Sequence, residues 1–254
     1  MMYSTRAKAK PKQDVMKRLY TLLPAFIALL VSTSLFAQDI ESFRLTTEDG
    51  KSIAAMFQMN PDQEKGQPTI LLLHGGGRSK EIWQQFGAFQ KLHELGYNVM
   101  AIDIRGNGQS DPQTPGNFVY PFADAKAALD WIEQNEDIQT GPIGAMGSSY
   151  GSNILAAGMQ IYDWNIKTVV TLSATAVAYR VLANYPETHP LTHGFFVACD
   201  SELERYDAEN TAQRLYDETT GERKIKILPG PYHGSYLYTL ATDEILDWFE
   251  THLK

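Results

Sequence analysis

One serine in this sequence stands where a nucleophile is expected. Ser149 is the middle residue of Gly147-Ser-Ser-Tyr-Gly151, which follows an apolar run at residues 142–146 and precedes a stretch with helical spacing. A strand that turns at once into a helix holds its central residue in a strained conformation, and glycines on both sides avoid a clash. Such a turn exposes the hydroxyl at the sheet edge, above the positive end of the helix. We predict that Ser149 attacks a carbonyl carbon.

A second motif can supply hydrogen bonds to the oxyanion formed by that attack. His74-Gly-Gly-Gly77 follows the apolar run at residues 69–73. A backbone N–H of this loop and that of Tyr150 can hold an oxyanion, because glycines allow close approach. Gly76 is the favoured donor, with Gly75 and Gly77 as alternatives. The other interpretation is a bare tight turn; a G-x-G-x-x-G nucleotide loop is excluded because position 80 is a lysine.

The candidate general base is His233, in Pro229-Gly-Pro-Tyr-His-Gly-Ser235, just past the last predicted strand. In a strand–helix fold of this kind the base follows both the nucleophile and the acid along the chain. The other histidines precede one of these or lie at the end of the chain: His74, His93, His189, His193 and His252. The spacing of His189 and His193 would suit a metal pair, but no third ligand is near, so no metal or other cofactor is expected.

Four carboxylates crowd the loop that should deliver the acid. It reads Cys199-Asp-Ser-Glu-Leu-Glu-Arg-Tyr-Asp207 and follows the predicted strand at residues 194–198. A loop acid about three to four residues beyond its strand can reach the base, which favours Glu202. Asp200 comes second, because aspartate is the commoner acid, and Glu204 third. Cys199 is expected to be a small apolar residue at the strand end.

Short apolar runs alternate with stretches of helical spacing. The predicted strands are residues 69–73, 99–102, 142–146, 168–172, 194–198 and 224–228, and the predicted helices are residues 80–95, 122–134, 154–162, 208–216 and 243–253. Strands that are apolar on both faces belong to a covered sheet, and strand–helix alternation makes them parallel. We therefore predict a doubly wound, mostly parallel α/β fold with helices on both faces. An edge hairpin at residues 40–59 precedes it. We expect little or no cap over the site, and residues 173–193, the least periodic region, are the place for a small one.

Charge and composition exclude several classes of protein. The 254 residues include 22 Lys and Arg, 30 Asp and Glu, and one cysteine. A net charge of −8 without a basic run in the folded part disfavours nucleic acids as partners. A single cysteine excludes a disulfide framework and multi-cysteine metal sites.

The first 37 residues are predicted to be a secretory signal peptide. A basic segment ends at Arg18, the apolar residues 19–36 carry no charge, and a small residue comes next. The first fifteen residues are long and polar for a signal peptide, so Met16 is an alternative start of translation. The alternative is an uncleaved anchor, although the apolar stretch is only just long enough and a proline interrupts it. We expect residues 38–254 to be one exported domain, periplasmic or extracellular, that contacts a membrane only if the leader is retained.

These motifs, together with Asp103-Ile-Arg-Gly-Asn-Gly-Gln-Ser110, occur in an order that resembles the α/β-hydrolase superfamily. The resemblance covers residues 40–254, and because no long insertion interrupts them the chain looks like the compact, nearly cap-free members, such as small carboxylesterases and dienelactone-hydrolase-like proteins. It implies that the segment from Asp103 supports the active site. The chain departs from dienelactone hydrolases proper, whose nucleophile is cysteine, because Ser149 stands at that position.

The predicted function is hydrolysis of small carboxylic esters (EC 3.1) by a Ser-His-acid triad and an acyl-enzyme. Serine peptidase, thioesterase and acyltransferase activities use the same nucleophile and remain open, as does a non-catalytic binding protein on the same fold. Five aromatic residues are candidates for the pocket wall, with core packing as the alternative: Tyr120, Trp164, Tyr185, Tyr232 and Tyr236.

Overall fold

A computed structural model describes residues 40–61, 66–113, 121–136, 138, 141–202 and 206–254. The predicted leader lies outside the described residues. No helix within the described ranges combines the length and the apolar character that crossing a bilayer requires.

The described residues form an eight-stranded sheet in the order β1-β2-β4-β3-β5-β6-β7-β8. The strands are β1 Glu41–Thr46, β2 Ser52–Gln58, β3 Thr69–Leu73, β4 Asn98–Ile102, β5 Ile143–Ser148, β6 Thr168–Leu172, β7 Gly194–Cys199 and β8 Arg223–Leu228. The first two form the expected edge hairpin and β2 runs antiparallel to β4, whereas β4, β3, β5, β6, β7 and β8 are parallel to one another. The predicted mostly parallel sheet is therefore confirmed.

Helices connect the parallel strands. The described helices are α1 Ile82–Gln85, α2 Ala88–Glu94, α3 Phe122–Gln134, α4 Tyr150–Tyr162, α5 Val177–Leu182, α6 Ala208–Glu218, α7 Tyr236–Leu240 and α8 Thr242–Leu253. Two hydrophobic cores cover the opposite faces of the sheet. Alternate residues of β3 illustrate this division, since Leu71 and Leu73 belong to one core and Ile70 and Leu72 to the other.

Two helix predictions were wrong in detail. The stretch at residues 80–95 is not one helix, because Gly87 has a φ of 75° and separates α1 from α2. The helix predicted to start at residue 154 begins four residues earlier, at Tyr150. Its first turn, Tyr150-Gly-Ser-Asn153, carries no apolar stripe, so periodicity could not reveal it. Residues 173–193 contain only α5 as a described helix, which agrees with a fold that has little cap.

Candidate active site

The turn between β5 and α4 holds Ser149 in a strained backbone conformation. Its φ is 48° and its ψ is −104°, a combination that side-chain-bearing residues rarely adopt. Two hydrogen bonds fix the turn: Ser149 N–H donates to Leu172 O at 2.7 Å, and Asn153 N–H donates to Ser149 O at 3.0 Å. The strain is therefore built into the junction of strand and helix.

The two glycines of the motif allow this sharp turn. A Cβ on Gly147 would lie 2.6 Å from the carbonyl carbon of Gly151. A Cβ on Gly151 would lie 2.2 Å from the carbonyl oxygen of Leu73, at the end of β3. Both distances are far below van der Waals contact, so only glycine lets α4 pack this closely against the strands.

His233 lies directly beside the serine. Its Nε2 is 2.7 Å from Ser149 Oγ, and the loop that carries it is held by the Gly234 N–H, which donates to Ser173 Oγ at 2.9 Å. One face of the imidazole stacks on the Tyr206 ring, with centroids 4.5 Å apart and planes inclined by 21°. The loop anchor and the stacked ring together restrict where the imidazole can move.

The structure places Glu202, and not Asp200, against His233. Glu202 Oε1 hydrogen-bonds to His233 Nδ1, while Oε2 accepts the Cys199 N–H at 3.2 Å, and the side chain is only 1% exposed. A carboxylate can only accept here, so Nδ1 carries the proton and Nε2 is free to accept from the serine hydroxyl. Sequence reasoning missed Tyr206, which stacks on this histidine, and Ser173, which holds the histidine loop through Gly234, because neither spacing nor motif assigns these roles.

Asp200 has a different role. Its Oδ1 accepts the Gly230 N–H at 2.9 Å and the Ser201 hydroxyl at 2.8 Å. The Gly230 N–H and the Ser201 hydroxyl lower the pKa of Asp200. Asp200 thereby ties the acid loop to the start of the histidine loop. The third candidate, Glu204, lies outside the described residues.

The predicted oxyanion donors line the same cleft as the serine. A Cβ on Gly76 would lie 3.9 Å from Tyr150 Cβ, so the glycine loop and the start of α4 face each other closely. Gly77 is engaged elsewhere, since its N–H donates to Asn107 Oδ1 at 3.0 Å. Gly75 packs on Ser148 and Ser149. Gly76 therefore stays the favoured donor with Tyr150.

His74 supports the glycine loop, and both of its ring nitrogens are engaged in hydrogen bonds. Its Nδ1–H donates to Gly75 O at 2.7 Å, and its Nε2 accepts the Ile104 N–H at 2.9 Å. Burial lowers the pKa of His74, which is fully enclosed. The ring is therefore neutral and links the glycine loop to the end of β4, as expected for a packed, hydrogen-bonded residue.

A buried carboxylate organises the neighbouring loop. Asp103, which is fully buried, accepts the backbone N–H groups of Lys80 at 2.7 Å and Gln109 at 2.9 Å, and pairs with Lys80 Nζ at 2.9 Å. A Cβ on Gly108 would lie 2.2 Å from the Asp103 carboxylate. The folded loop presents Asn107 to the glycine loop, which gives this segment the supporting role implied by the resemblance.

Arg105 joins the same support. It pairs with Asp124 at 2.7 Å and with Asp49 at 2.6 Å. Burial raises the pKa of Asp124, although the hydrogen bonds from Arg105 act in the opposite direction. The guanidinium is thus neutralised by two carboxylates that do not themselves line the described cleft wall.

A cleft of about 1110 Å³ opens over Ser149. Its described walls come from the loops after β3 and β4, α1, the start of α4, α5, Tyr206 and the histidine loop. Of the five aromatic candidates, Tyr236 lines the cleft. The Tyr232 ring stacks on the Tyr236 ring, with centroids 4.9 Å apart. Trp164 is buried in the core and Tyr185 packs on Tyr162, whereas Tyr120 lies outside the described residues.

Comparison with known proteins identifies the family. Residues 68–216, more than half of the chain, match the family model described as alpha/beta hydrolase fold. The esterase Pf2001 from Pyrococcus furiosus superposes with a TM-score of 0.67 at 18% identity, over 86% of this chain and 94% of that one. Dienelactone hydrolase from Anabaena variabilis superposes with a TM-score of 0.66 at 14% identity, over 85% of this chain and 99% of that one. At such identities the likeness concerns the fold.

Relatives found by sequence match only in part. An uncharacterized peptidase of Bacillus subtilis, YuxL, is 28% identical over 188 residues, which are 70% of this chain and 27% of that protein. The matched segments span 31% to 48% of the length of the first five curated relatives. The family match, supported by the sheet and by these superpositions, shows that the chain belongs to the α/β-hydrolase family.

Proposed function

We propose that this chain is a serine hydrolase that cleaves carboxylic esters through an acyl-enzyme. One observation carries the proposal: a continuous hydrogen-bond chain runs from the buried Glu202 through His233 to Ser149 Oγ, at the floor of an open cleft. Nucleophile, base and orienting acid are each within reach of the next, which is the geometric requirement for activating a serine.

The proposed reaction has two stages. His233 Nε2 takes the Ser149 proton as Oγ attacks the ester carbonyl, and the imidazolium then protonates the departing alcohol. Water, deprotonated by the same nitrogen, attacks the acyl-enzyme and frees the acid. The N–H groups of Gly76 and Tyr150 stabilise the oxyanion in both stages, each by about 3 kcal/mol by mutational precedent. Glu202 holds the imidazole tautomer and stabilises its charged form, and this chemistry requires no cofactor.

The test is covalent labelling with a fluorophosphonate followed by intact mass and peptide mapping. We expect one adduct on Ser149 in the wild-type protein and none in Ser149→Ala, with labelling lost in His233→Ala. Ser201→Ala is the matched control, because Ser201 is an exposed serine near the site whose hydroxyl serves Asp200. Well-folded wild-type protein that takes up no label would refute the proposal and favour a binding protein on this fold.

Peptide-bond hydrolysis is the second candidate, and the partial match to a protein named as a peptidase favours it. Matched substrates decide between the two: a short-chain nitrophenyl ester reports esterase turnover, and dipeptide nitroanilides report peptidase turnover. The same labelled serine serves both reactions. We expect the ester to be cleaved and the anilides to be left intact.

We further propose that the domain acts outside the cytoplasm. The order of basic, apolar and small residues before residue 38 supports export. Expression of the full chain followed by fractionation and N-terminal sequencing tests this. A mature N-terminus at residue 38 in the exported fraction is expected, and a full-length cytoplasmic product would contradict it.

A further inference from the structure

The described wall of the Ser149 cleft is unusual in its charges. It includes Arg78, Arg105 and Arg180, but the described lining contains no aspartate or glutamate. The chain as a whole has 30 acidic residues against 22 basic ones, so chance would favour carboxylates on any large surface. The cleft therefore differs in sign from the protein around it.

The arginines of the cleft also differ in how they are paired. Arg105 is neutralised by Asp49 and Asp124. The guanidinium groups of Arg78 and Arg180 are exposed and contact no carboxylate in the part of the chain that the structure describes.

The other described arginines all have partners for their side chains. Arg44 pairs with Asp111, Arg214 pairs with Glu218, and Arg223 donates to Thr219 O. Unpaired guanidinium groups are thus confined, among the described arginines, to the cleft over Ser149.

The two unpaired arginines approach the nucleophile from opposite sides. Ser149 follows β5, whose neighbours in the sheet are β3 and β6. Arg78 lies in the loop after β3, and Arg180 lies on α5, after β6. Each can therefore reach a different side of a substrate whose carbonyl lies over the serine.

We propose that the substrate carries a negatively charged group, a carboxylate or a phosphate, that Arg78 or Arg180 binds, depending on the side of the ester on which the group lies. Arg is suited to this task because its planar fork donates two parallel hydrogen bonds to either anion. A substrate anion would be the partner that these two side chains lack among the described residues. The proposal specifies the substrate class of the proposed hydrolase and rests on that function for turnover, although binding of the anion can be measured without it.

The test uses ester pairs that differ only in charge. On the alcohol side, meta-carboxyphenyl butyrate is compared with meta-carbamoylphenyl butyrate; on the acyl side, monophenyl adipate is compared with phenyl adipamate. Carboxylate and carboxamide have nearly the same shape, so the ratio of their kcat/KM values reports charge. A meta-phosphophenyl butyrate distinguishes phosphate from carboxylate. Comparing each ratio between variants cancels differences in intrinsic reactivity.

We expect Arg78→Gln and Arg180→Gln each to lower the anion-to-neutral ratio by about fivefold for at least one ester pair, the upper range for an exposed ion pair. Arg180→Lys should retain part of the preference. Lys167→Gln is the matched control, because Lys167 is an exposed cation just before β6, at the end of that strand away from the cleft. It removes the same charge and should leave the ratio unchanged.

A second measurement separates this proposal from the proposed function. Calorimetry on Ser149→Ala compares binding of the same carboxylate and carboxamide esters without turnover. Tighter binding of the anion that is lost in the added Arg→Gln substitutions supports the anion site, even if wild-type protein hydrolyses no ester. Equal affinities, together with ratios that neither arginine changes, overturn it, even if wild-type protein hydrolyses the neutral esters.

Discussion

Replacing Glu202 by glutamine tests the role of the acid most directly. Its two carboxylate oxygens have fixed partners, His233 Nδ1 and the Cys199 N–H. A glutamine of the same shape can keep only one oxygen acceptor, and the Cys199 N–H must bind it. The amide NH2 then faces His233 Nδ1, which must give up its proton and accept instead. The proton moves to Nε2, the nitrogen that has to accept from Ser149.

The expected cost follows from this wrong tautomer. An equivalent carboxylate-to-amide change in a serine protease lowers kcat by about 10⁴-fold. We expect Glu202→Gln to lower kcat/KM for a nitrophenyl ester by about 10³- to 10⁴-fold, with a small change in KM because the side chain lies behind the histidine. The rate of fluorophosphonate labelling should fall in parallel. Thermal unfolding checks that the variant is folded.

Asp200→Asn is the matched control. Asparagine keeps an oxygen for the Gly230 N–H, and Asp200 makes no described contact with the histidine. We expect its kcat/KM to stay within about fivefold of wild type, because only an exposed hydrogen bond is weakened. The assignment of the acid is refuted if Asp200→Asn loses as much activity as Glu202→Gln, or if Glu202→Gln keeps more than a tenth of it.

Three further changes test the supporting structure. Ser149→Gly should unfold at higher denaturant than Ser149→Ala, by about 1 kcal/mol, since only glycine relieves the φ of 48°; equal stabilities would argue against strain. In a urea titration, Gly151→Ala should lower the free energy of unfolding by about 3 kcal/mol or more. Gly76→Ala, whose added Cβ would have its nearest contact at 3.9 Å, should lower it little. The Arg105 guanidinium holds the pKa of Asp49 well below its usual range, so the pair stabilises the fold above about pH 4 and less as pH falls. Asp49→Asn should therefore destabilise by under about 1 kcal/mol at neutral pH, the limit for a half-exposed carboxylate, and by less near pH 3; a loss independent of pH would contradict this.

The fold was predictable because its signals are local. The parallel strands other than β8 are short, mainly apolar runs, and the turns that follow β3 and β5 are marked by glycines, of which Gly147 and Gly151 are required by sterics. Gly151, for example, lies against the end of β3, so one motif fixes both the turn and the packing of α4. The break at Gly87 was missed because a glycine inside a helical pattern is compatible with either a continuous or an interrupted helix.

The acid shows where such reasoning weakens. The loop offered four carboxylates, and the choice of Glu202 rested on reach alone. The structure places Glu202 against His233 for a reason that no spacing rule contains: the Cys199 N–H, at the end of β7, donates to one Glu202 oxygen, and the other oxygen then faces His233. Tyr206 and Ser173 were missed because only the folded chain brings them to the histidine loop, where the Tyr206 ring stacks on His233 and Ser173 Oγ accepts the Gly234 N–H.

The arginines of the cleft attract an anion at short range, whereas the net charge of the protein repels it at long range. Residues 38–254 contain 16 basic and 29 acidic residues, a formal charge of −13 that repels an anion at long range. Salt screens this repulsion beyond about 8 Å at physiological ionic strength, but it weakens contact with Arg78 and Arg180 less. Added salt therefore acts on approach and on binding with opposite signs. A preference for anionic esters is for this reason meaningful only between matched esters at a single ionic strength.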